Sequence, residues 1–292
     1  MIKLRGCMVA LVTPFRDGAV DTAKLEELVD WHIAQGTDAL VPCGTTGESA
    51  TLTHEEHRHV IEVVVKRAAG RIPVIAGTGS NSTAEAVALT QHAARAGATA
   101  ALLITPYYNK PEPEGMYLHF KKVAESADIP IILYNVPGRT GRSITPETVA
   151  RLAAIPNIVG IKEASLSIEQ ATEIRRRCDI IILSGEDSMT LPLMAIGATG
   201  VISVVANIAP RLMKKLVEAF AAGRNSEAER LHLQLYPLCK AMFLETNPIP
   251  VKAAMRMMGM LNGELRLPLS PLSPEKEPAL QAVLRSFGLV SD

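Results

Sequence analysis

The sequence has no charge imbalance: lysine and arginine number 30, and aspartate and glutamate also number 30. A balanced chain gives nucleic acid or an anionic membrane no electrostatic hold, so a small molecule is the expected partner. Cysteine is scarce, with Cys7, Cys43, Cys178 and Cys239 the four present. None forms a C-x-x-C pair and their flanks are mostly apolar. That argues against a disulfide framework or zinc site, and for reduced thiols in a cytoplasmic protein. Low-complexity tracts are absent, as is any linker rich in Gly, Ser or Pro. The N-terminal MIKLRGCMVALVTPF places Lys3 and Arg5 before an apolar run, faintly like a secretory signal. Pro14 closes the run and no small-residue cleavage site follows, so no leader is expected. The stretch from Ser188 to Pro210 carries no charge and is long enough to span a membrane. Pro192, Gly197, Gly200, Ser203 and Asn207 interrupt it, so it reads as a helix, a glycine turn and a buried strand.

What is present is alternation. Eight apolar, β-branched runs recur along the chain: CMVALVTP from Cys7, DALVPCG from Asp38, PVIAGTG from Pro73, AALLITP from Ala100, IPIILYN from Ile129, IVGIKEA from Ile158, IIILSGE from Ile180 and GVISVVAN from Gly200. Each is apolar nearly throughout, as strands covered on both faces should be. An amphipathic, helix-length segment follows each, and Thr53 with Glu56 forms a capping-box pattern at one start. Such alternation predicts an α/β fold, a (β/α)8 TIM barrel. Hydrophobic residues make up 48% of the 292, enough for one large core. The barrel is expected over residues 1–223. Residues 224–292, with AERLHLQLYPLCKAMF and PIPVKAAMRMMGM, are expected to form a C-terminal helical extension packed on it.

Barrel enzymes build active sites at the C-terminal ends of their strands. The polar residues expected there are Gly44-Thr45-Thr46-Gly47-Glu48, then Thr105, Tyr107, Tyr108 and Asn109, then Tyr134, Asn135 and Arg139, then Lys162, then Ser184 and Gly185. Lys162 stands out, because lysine is rarely buried without a partner or a task. A salt bridge to Glu163 is disfavoured, since neighbours on a strand face opposite sides. Burial favours an amine over an ammonium, and a neutral amine attacks carbonyl carbon. Lys162 therefore reads as a Schiff-base nucleophile for a small 2-oxo acid. Tyr134, ending the adjacent strand, is placed to move the protons of a carbinolamine. The glycine-bounded Thr45-Thr46 turn offers N–H groups and hydroxyls to a carboxylate, and its lack of a basic residue argues against a phosphate loop. Arg139 fits either a carboxylate clamp or a solvated surface site. His54, His57 and His59 lack acidic or cysteine companions at a ligand spacing, so a metal is not expected.

GTTGESATL, TPYYNKP, YNVPGRTG, GIKEAS and NPIPVK, in that order, together resemble the dihydrodipicolinate synthase family. That family belongs to the pyruvate-dependent class I aldolases, with N-acetylneuraminate lyase. The resemblance runs over essentially the whole chain. It implies condensation of pyruvate with L-aspartate 4-semialdehyde, the first committed step of lysine biosynthesis by the diaminopimelate route, without a cofactor. Carried over by motif, Lys162 forms the imine, while Tyr134, Thr45 and Tyr108 relay protons, with Tyr108 supplied by a neighbouring subunit. Thr46 and the backbone of Ile202 hold the pyruvate carboxylate, with Gly185 beside them, and Arg139 binds the second carboxylate. The resemblance further implies a homotetramer built as a dimer of dimers. It also implies feedback inhibition by L-lysine, bound by Ser49, Ala50, His54, His57, Asn81, Glu85 and Tyr107. Sialic-acid lyases keep the lysine and tyrosine but typically lack the PGRTG arginine, which makes a retro-aldolase the alternative. A silent 2-oxo-acid-binding regulator on the same barrel ranks third.

Overall fold

The structure is a computed structural model and describes residues 4–291; Lys3 of the N-terminal motif lies outside them. All eight apolar runs contain a strand. They are β1 (Gly6–Ala10), β2 (Ala39–Val41), β3 (Ile75–Gly77), β4 (Ala100–Ile104), β5 (Ile131–Asn135), β6 (Ile158–Glu163), β7 (Ile181–Ser184) and β8 (Gly200–Ser203). The strands pair in parallel in the order β2-β1-β8-β7-β6-β5-β4-β3. A parallel bridge between Leu40 and Val74 joins the two ends. Hydrogen bonds from the Leu40 N–H to the Pro73 carbonyl (3.0 Å) and from the Gly77 N–H to the Pro42 carbonyl (2.9 Å) complete that seam. Closure removes the sheet edges, so every strand can be short and apolar.

The helices between strands are α1 (Thr22–Gln35), α2 (His54–Ala68), α3 (Thr83–Ala96), α4 (Pro113–Ala124), α5 (Pro146–Ala153), α6 (Ile168–Arg177), α7 (Thr190–Ala195) and α8 (Pro210–Ala221). Their starts follow local chemistry. Thr53 accepts from the Glu56 N–H while the Glu56 carboxylate accepts from the Thr53 N–H, the reciprocal box read from the sequence. The charge-free stretch divides into α7, a turn at Gly197 (φ 103°) and β8. No helix is long and apolar enough to cross a membrane among the described residues.

Side-chain alternation along the strands separates two cores. Cys7, Val9, Ile131, Leu133 and Ile161 face outward into the large cluster shared with the helices. Met8, Ala10, Ile132, Tyr134, Leu183 and Ile202 face inward and fill the barrel. Fully burying a Leu or Ile side chain stabilises by about 1.5–3 kcal/mol, so both layers hold the ring shut. At Gly200 an added Cβ would lie 2.1 Å from the Gly6 carbonyl oxygen, which is why the β1–β8 contact needs glycine.

Beyond α8 come α9 (Asn225–Ala241, with Pro237 inside), α10 (Ile249–Met257) and α11 (Glu277–Ser286). Helix α9 packs on α8, on α11 and on the Asp187–Met189 turn after β7, and α10 packs on the Val205–Asn207 turn after β8. The C-terminal helices thus sit over the rim where the strands end. Helix α11 lies in the segment expected to be helical, whereas the sequence reading missed a small hairpin after β1, Phe15–Arg16 with Ala19–Val20.

Candidate active site

Strand register builds the centre of the site. Tyr134 on β5 pairs with Lys162 on β6, and Lys162 pairs with Leu183 on β7. All three side chains therefore point into the barrel at one level. Lys162 is 6% exposed, and its Nζ lies 4.2 Å from the centroid of the Tyr134 ring. No carboxylate reaches Lys162 at ion-pair distance among the described residues. Gly185 makes room for it: an added Cβ there would stand 3.0 Å from Lys162 Cγ and 3.1 Å from its Cε. The Gly185 N–H is held by the Glu163 carbonyl at 2.8 Å.

Glu163 faces the other way, as the strand period requires. Its carboxylate accepts from the Asn135 Nδ2 at 3.2 and 3.0 Å and from the Ser165 N–H at 2.7 Å. Burial nevertheless raises its pKa, since desolvation outweighs those bonds. Asn135 Oδ1 in turn accepts from the Ile144 N–H at 3.0 Å, so this buried pair ties the end of β5 to the chain returning from the Arg139 turn.

The Thr45-Thr46 loop is fixed from the C-terminal side. Asn247 Nδ2 donates to Thr46 Oγ1 at 3.0 Å, and the Asn247 carbonyl accepts from Arg139 Nη2 at 3.1 Å. Glu48 sits in a left-handed conformation (φ 53°) with its carboxylate sealed in an ion pair with Lys252. Lys252 also donates to the Glu264 carbonyl at 2.8 Å, and its Nζ lies 4.3 Å from the Phe15 ring centroid. Arg266 covers the same ring at 4.3 Å and gives its N–H to Glu48 Oε2 at 3.1 Å. Burial lowers the Lys252 pKa against the opposing pull of Glu48.

A cavity of about 360 Å³ opens beside this centre, lined by Thr45, Tyr134, Arg139 and Asn247. Ser49, Ala50, His54, His57, Glu85 and Tyr107 line the same cavity. Six of the seven residues singled out for an effector therefore meet in one space. Asn81 is outside the lining, and its carbonyl accepts from Asn109 Nδ2 at 2.9 Å. His54 Nε2 lies 3.0 Å from Glu85 Oε1, and Ser80 donates to Oε2 of the same carboxylate. Burial lowers the His57 pKa to about 4, and its Nδ1 is without a partner. His59 turns elsewhere, to Thr22 Oγ1 at 2.9 Å. Thr46, Lys162, Gly185 and Ile202 are not among the residues lining this cavity. Tyr108 lies outside its own chain's cavity, 90% exposed in a left-handed turn (φ 69°).

Three features escaped the sequence reading. Asp187 is wholly buried after β7 and accepts from the Val204 and Val205 N–H groups at 3.0 Å each. Burial raises its pKa, and the Lys162 charge is among the forces opposing the rise. The other two are the Asn247 and Lys252 contacts; NPIPVK marked both residues, but only folding reveals what they touch.

The model of the dihydrodipicolinate synthetase family matches residues 3–287. The chain belongs to that family. A 4-hydroxy-tetrahydrodipicolinate synthase from Pelobacter propionicus is 56% identical over 288 residues, covering 98% of this chain and 99% of the relative. The dihydrodipicolinate synthase structure from Acinetobacter baumannii, complexed with pyruvate, superposes with TM-score 0.96 at 46% identity, covering 99% of this chain and 100% of that one. The family member from Cyanidioschyzon merolae with lysine bound superposes with TM-score 0.96 at 42% identity, covering 98% and 99%.

Proposed function

We propose that this chain is a 4-hydroxy-tetrahydrodipicolinate synthase that condenses pyruvate with L-aspartate 4-semialdehyde through an imine on Lys162. The observation that carries the reading is the Lys162 amine, buried without a carboxylate partner and 4.2 Å from the Tyr134 ring. The names of close relatives and the pyruvate-bound neighbour support the choice of substrates.

The amine adds to the keto carbon of pyruvate and water leaves, giving a protonated imine. Loss of a methyl proton yields an enamine, which attacks the aldehyde carbon. The new alkoxide is protonated, and the amine of the adduct then displaces Lys162 and closes the ring. The iminium is the electron sink, so no metal or cofactor enters. Tyr134 carries protons at the keto carbon, relayed through Thr45 and the partner copy's tyrosine equivalent to Tyr108. Thr46 and the backbone of Ile202 bind the pyruvate carboxylate, Gly185 leaves space for the adduct, and Arg139 binds the semialdehyde carboxylate.

Pyruvate plus borohydride, followed by mass mapping, tests this: a reduced adduct on Lys162 is expected, and its absence would overturn the reading. The exposed Tyr108 supports a homotetramer in which the relay is completed between subunits, and an active monomer in analytical ultracentrifugation would count against it. The shared cavity lining of Ser49, His54, His57, Glu85 and Tyr107 supports an L-lysine effector site, tested by a lysine titration of activity. The reading places the protein in the cytoplasm.

A further inference from the structure

We propose that Asn247 is a positioning residue for the pyruvate half of this reaction, acting through the hydroxyl of Thr46. The proposal rests on the function proposed above and goes further by naming what sets the carboxylate-binding group.

A threonine hydroxyl has one proton and two lone pairs. If a protein acceptor takes the proton, nothing is left to donate to a ligand carboxylate, which is acceptor-only when ionised. Asn247 Nδ2 is a donor, and it points into Thr46 Oγ1 at 3.0 Å. Thr46 is 2% exposed and Asn247 5% exposed, so water does not compete freely for that lone pair. The bond fills one lone pair and leaves the Thr46 proton free for a carboxylate. A donor bond into a hydroxyl also polarises it, strengthening the bond it donates.

The amide is not satisfied as a purely structural one would be. Buried side-chain polar atoms ordinarily find partners, yet Asn247 Oδ1 is buried with none. Only the end that meets Thr46 is bonded. Its backbone serves the neighbouring group, since the Asn247 carbonyl accepts from Arg139 Nη2 at 3.1 Å. The residue is held in place by its own segment: the Lys252 N–H donates to the Pro248 carbonyl at 3.0 Å, and the Lys252 side chain pairs with Glu48. The loop is thus tied to this segment at Thr46 and again at Glu48.

The two roles of Asn247 use different atoms, which makes the proposal testable. Replacing the side chain removes the bond to Thr46 and keeps the carbonyl that holds Arg139. Asn247→Ala and the near-isosteric Asn247→Leu are compared with the parent enzyme in steady-state kinetics over both substrates. The KM for pyruvate is expected to rise roughly five- to tenfold, the worth of one neutral hydrogen bond. The KM for the semialdehyde should stay within about twofold. Borohydride trapping on Lys162 should slow at low pyruvate and recover at saturation. Asn247→Leu combined with Thr46→Val should raise the pyruvate KM no further than Thr46→Val alone, because one side chain acts through the other. Equal changes in both KM values, or additive effects in the double variant, would overturn the proposal. So would an unchanged pyruvate KM in a protein whose parent traps pyruvate. A parent that traps no pyruvate would instead bring down the functional reading, and this proposal with it.

Discussion

Two lysines are buried among the described residues, and their surroundings are opposite. Lys252, 0% exposed, is enclosed by the Glu48 carboxylate, the Glu264 carbonyl and the Phe15 ring. Lys162, 6% exposed, has the Tyr134 ring beside it and no carboxylate at ion-pair distance among the described residues. Both positions deny the ammonium its hydration. At Lys252 the protein replaces what water gave, and the side chain becomes a fixed strut between the Glu48 loop and the C-terminal segment. At Lys162 no carboxylate among the described residues takes that part, and no ion pair ties up the side-chain nitrogen. Burial alone therefore does not single out Lys162; the role proposed for it rests on burial without an ion-pair partner.

The sharpest way to break that contrast is to remove each amine. Lys162→Ala should fold, fail to trap pyruvate, and lose about four orders of magnitude in turnover, ~5.5 kcal/mol of transition-state stabilisation. Its thermal midpoint should match the parent's, because no partner is stranded. Lys252→Met should do the reverse. It leaves the Glu48 carboxylate buried and unpaired, which costs about 3–5 kcal/mol, read by urea denaturation. Adding Glu48→Gln should restore much of that loss, since the stranded charge goes. A Lys252→Met protein as stable as the parent would show that the two burials do not differ as argued.

The two lysines were not equally legible in the sequence. Lys162 interrupts an apolar strand, and the strand period turns it away from Glu163, so its standing apart from that carboxylate follows from local pattern alone. The same holds for the eight strands and for the Thr53–Glu56 cap, all set by short-range rules. Lys252 lies on an amphipathic helix, where one lysine among apolar residues looks like a solvated edge. Its partner Glu48 is 204 residues away in the chain, and no local period encodes that meeting. Asn247 reaching Thr46 and Asp187 reaching Val204 and Val205 were hidden for the same reason. The cavity joining Thr45 to His54 and Glu85 was legible only in part, through motifs rather than through distance.

A smaller effect separates ring from hydroxyl beside Lys162. Tyr134→Phe keeps the aromatic face at Lys162 and deletes only the hydroxyl proposed to carry protons. Turnover should fall about a hundredfold, ~2.7 kcal/mol, within the usual range for general acid–base groups. Stability should change by less than about 1 kcal/mol, since Tyr134 makes no side-chain hydrogen bond among those described. A loss of stability as large as that of Lys252→Met would recast Tyr134 as a structural partner of Lys162 and weaken the contrast.

The smallest effect comes from buried groups that escape the problem by staying neutral. Burial lowers the His32 pKa to about 3 and the His119 pKa to about 4. His32 Nδ1 lies 3.1 Å from Thr37 Oγ1, and its Nε2 has no partner to welcome a proton. The folded pKa is below the unfolded value of about 6.5, so the unfolded chain takes up the proton first. Stability is therefore unaffected above pH 6.5 and declines as pH falls from there toward the folded pKa. At pH 5 the loss from His32 alone is about 2 kcal/mol. His32→Leu, which cannot charge, should flatten that share of the profile in urea melts at pH 7.5 and pH 5. An unchanged slope would mean that His32 accepts its proton inside the fold. Solvation would then be reaching a site as closed as that of Lys252, and partners rather than exclusion of water would have to explain why the two lysines differ.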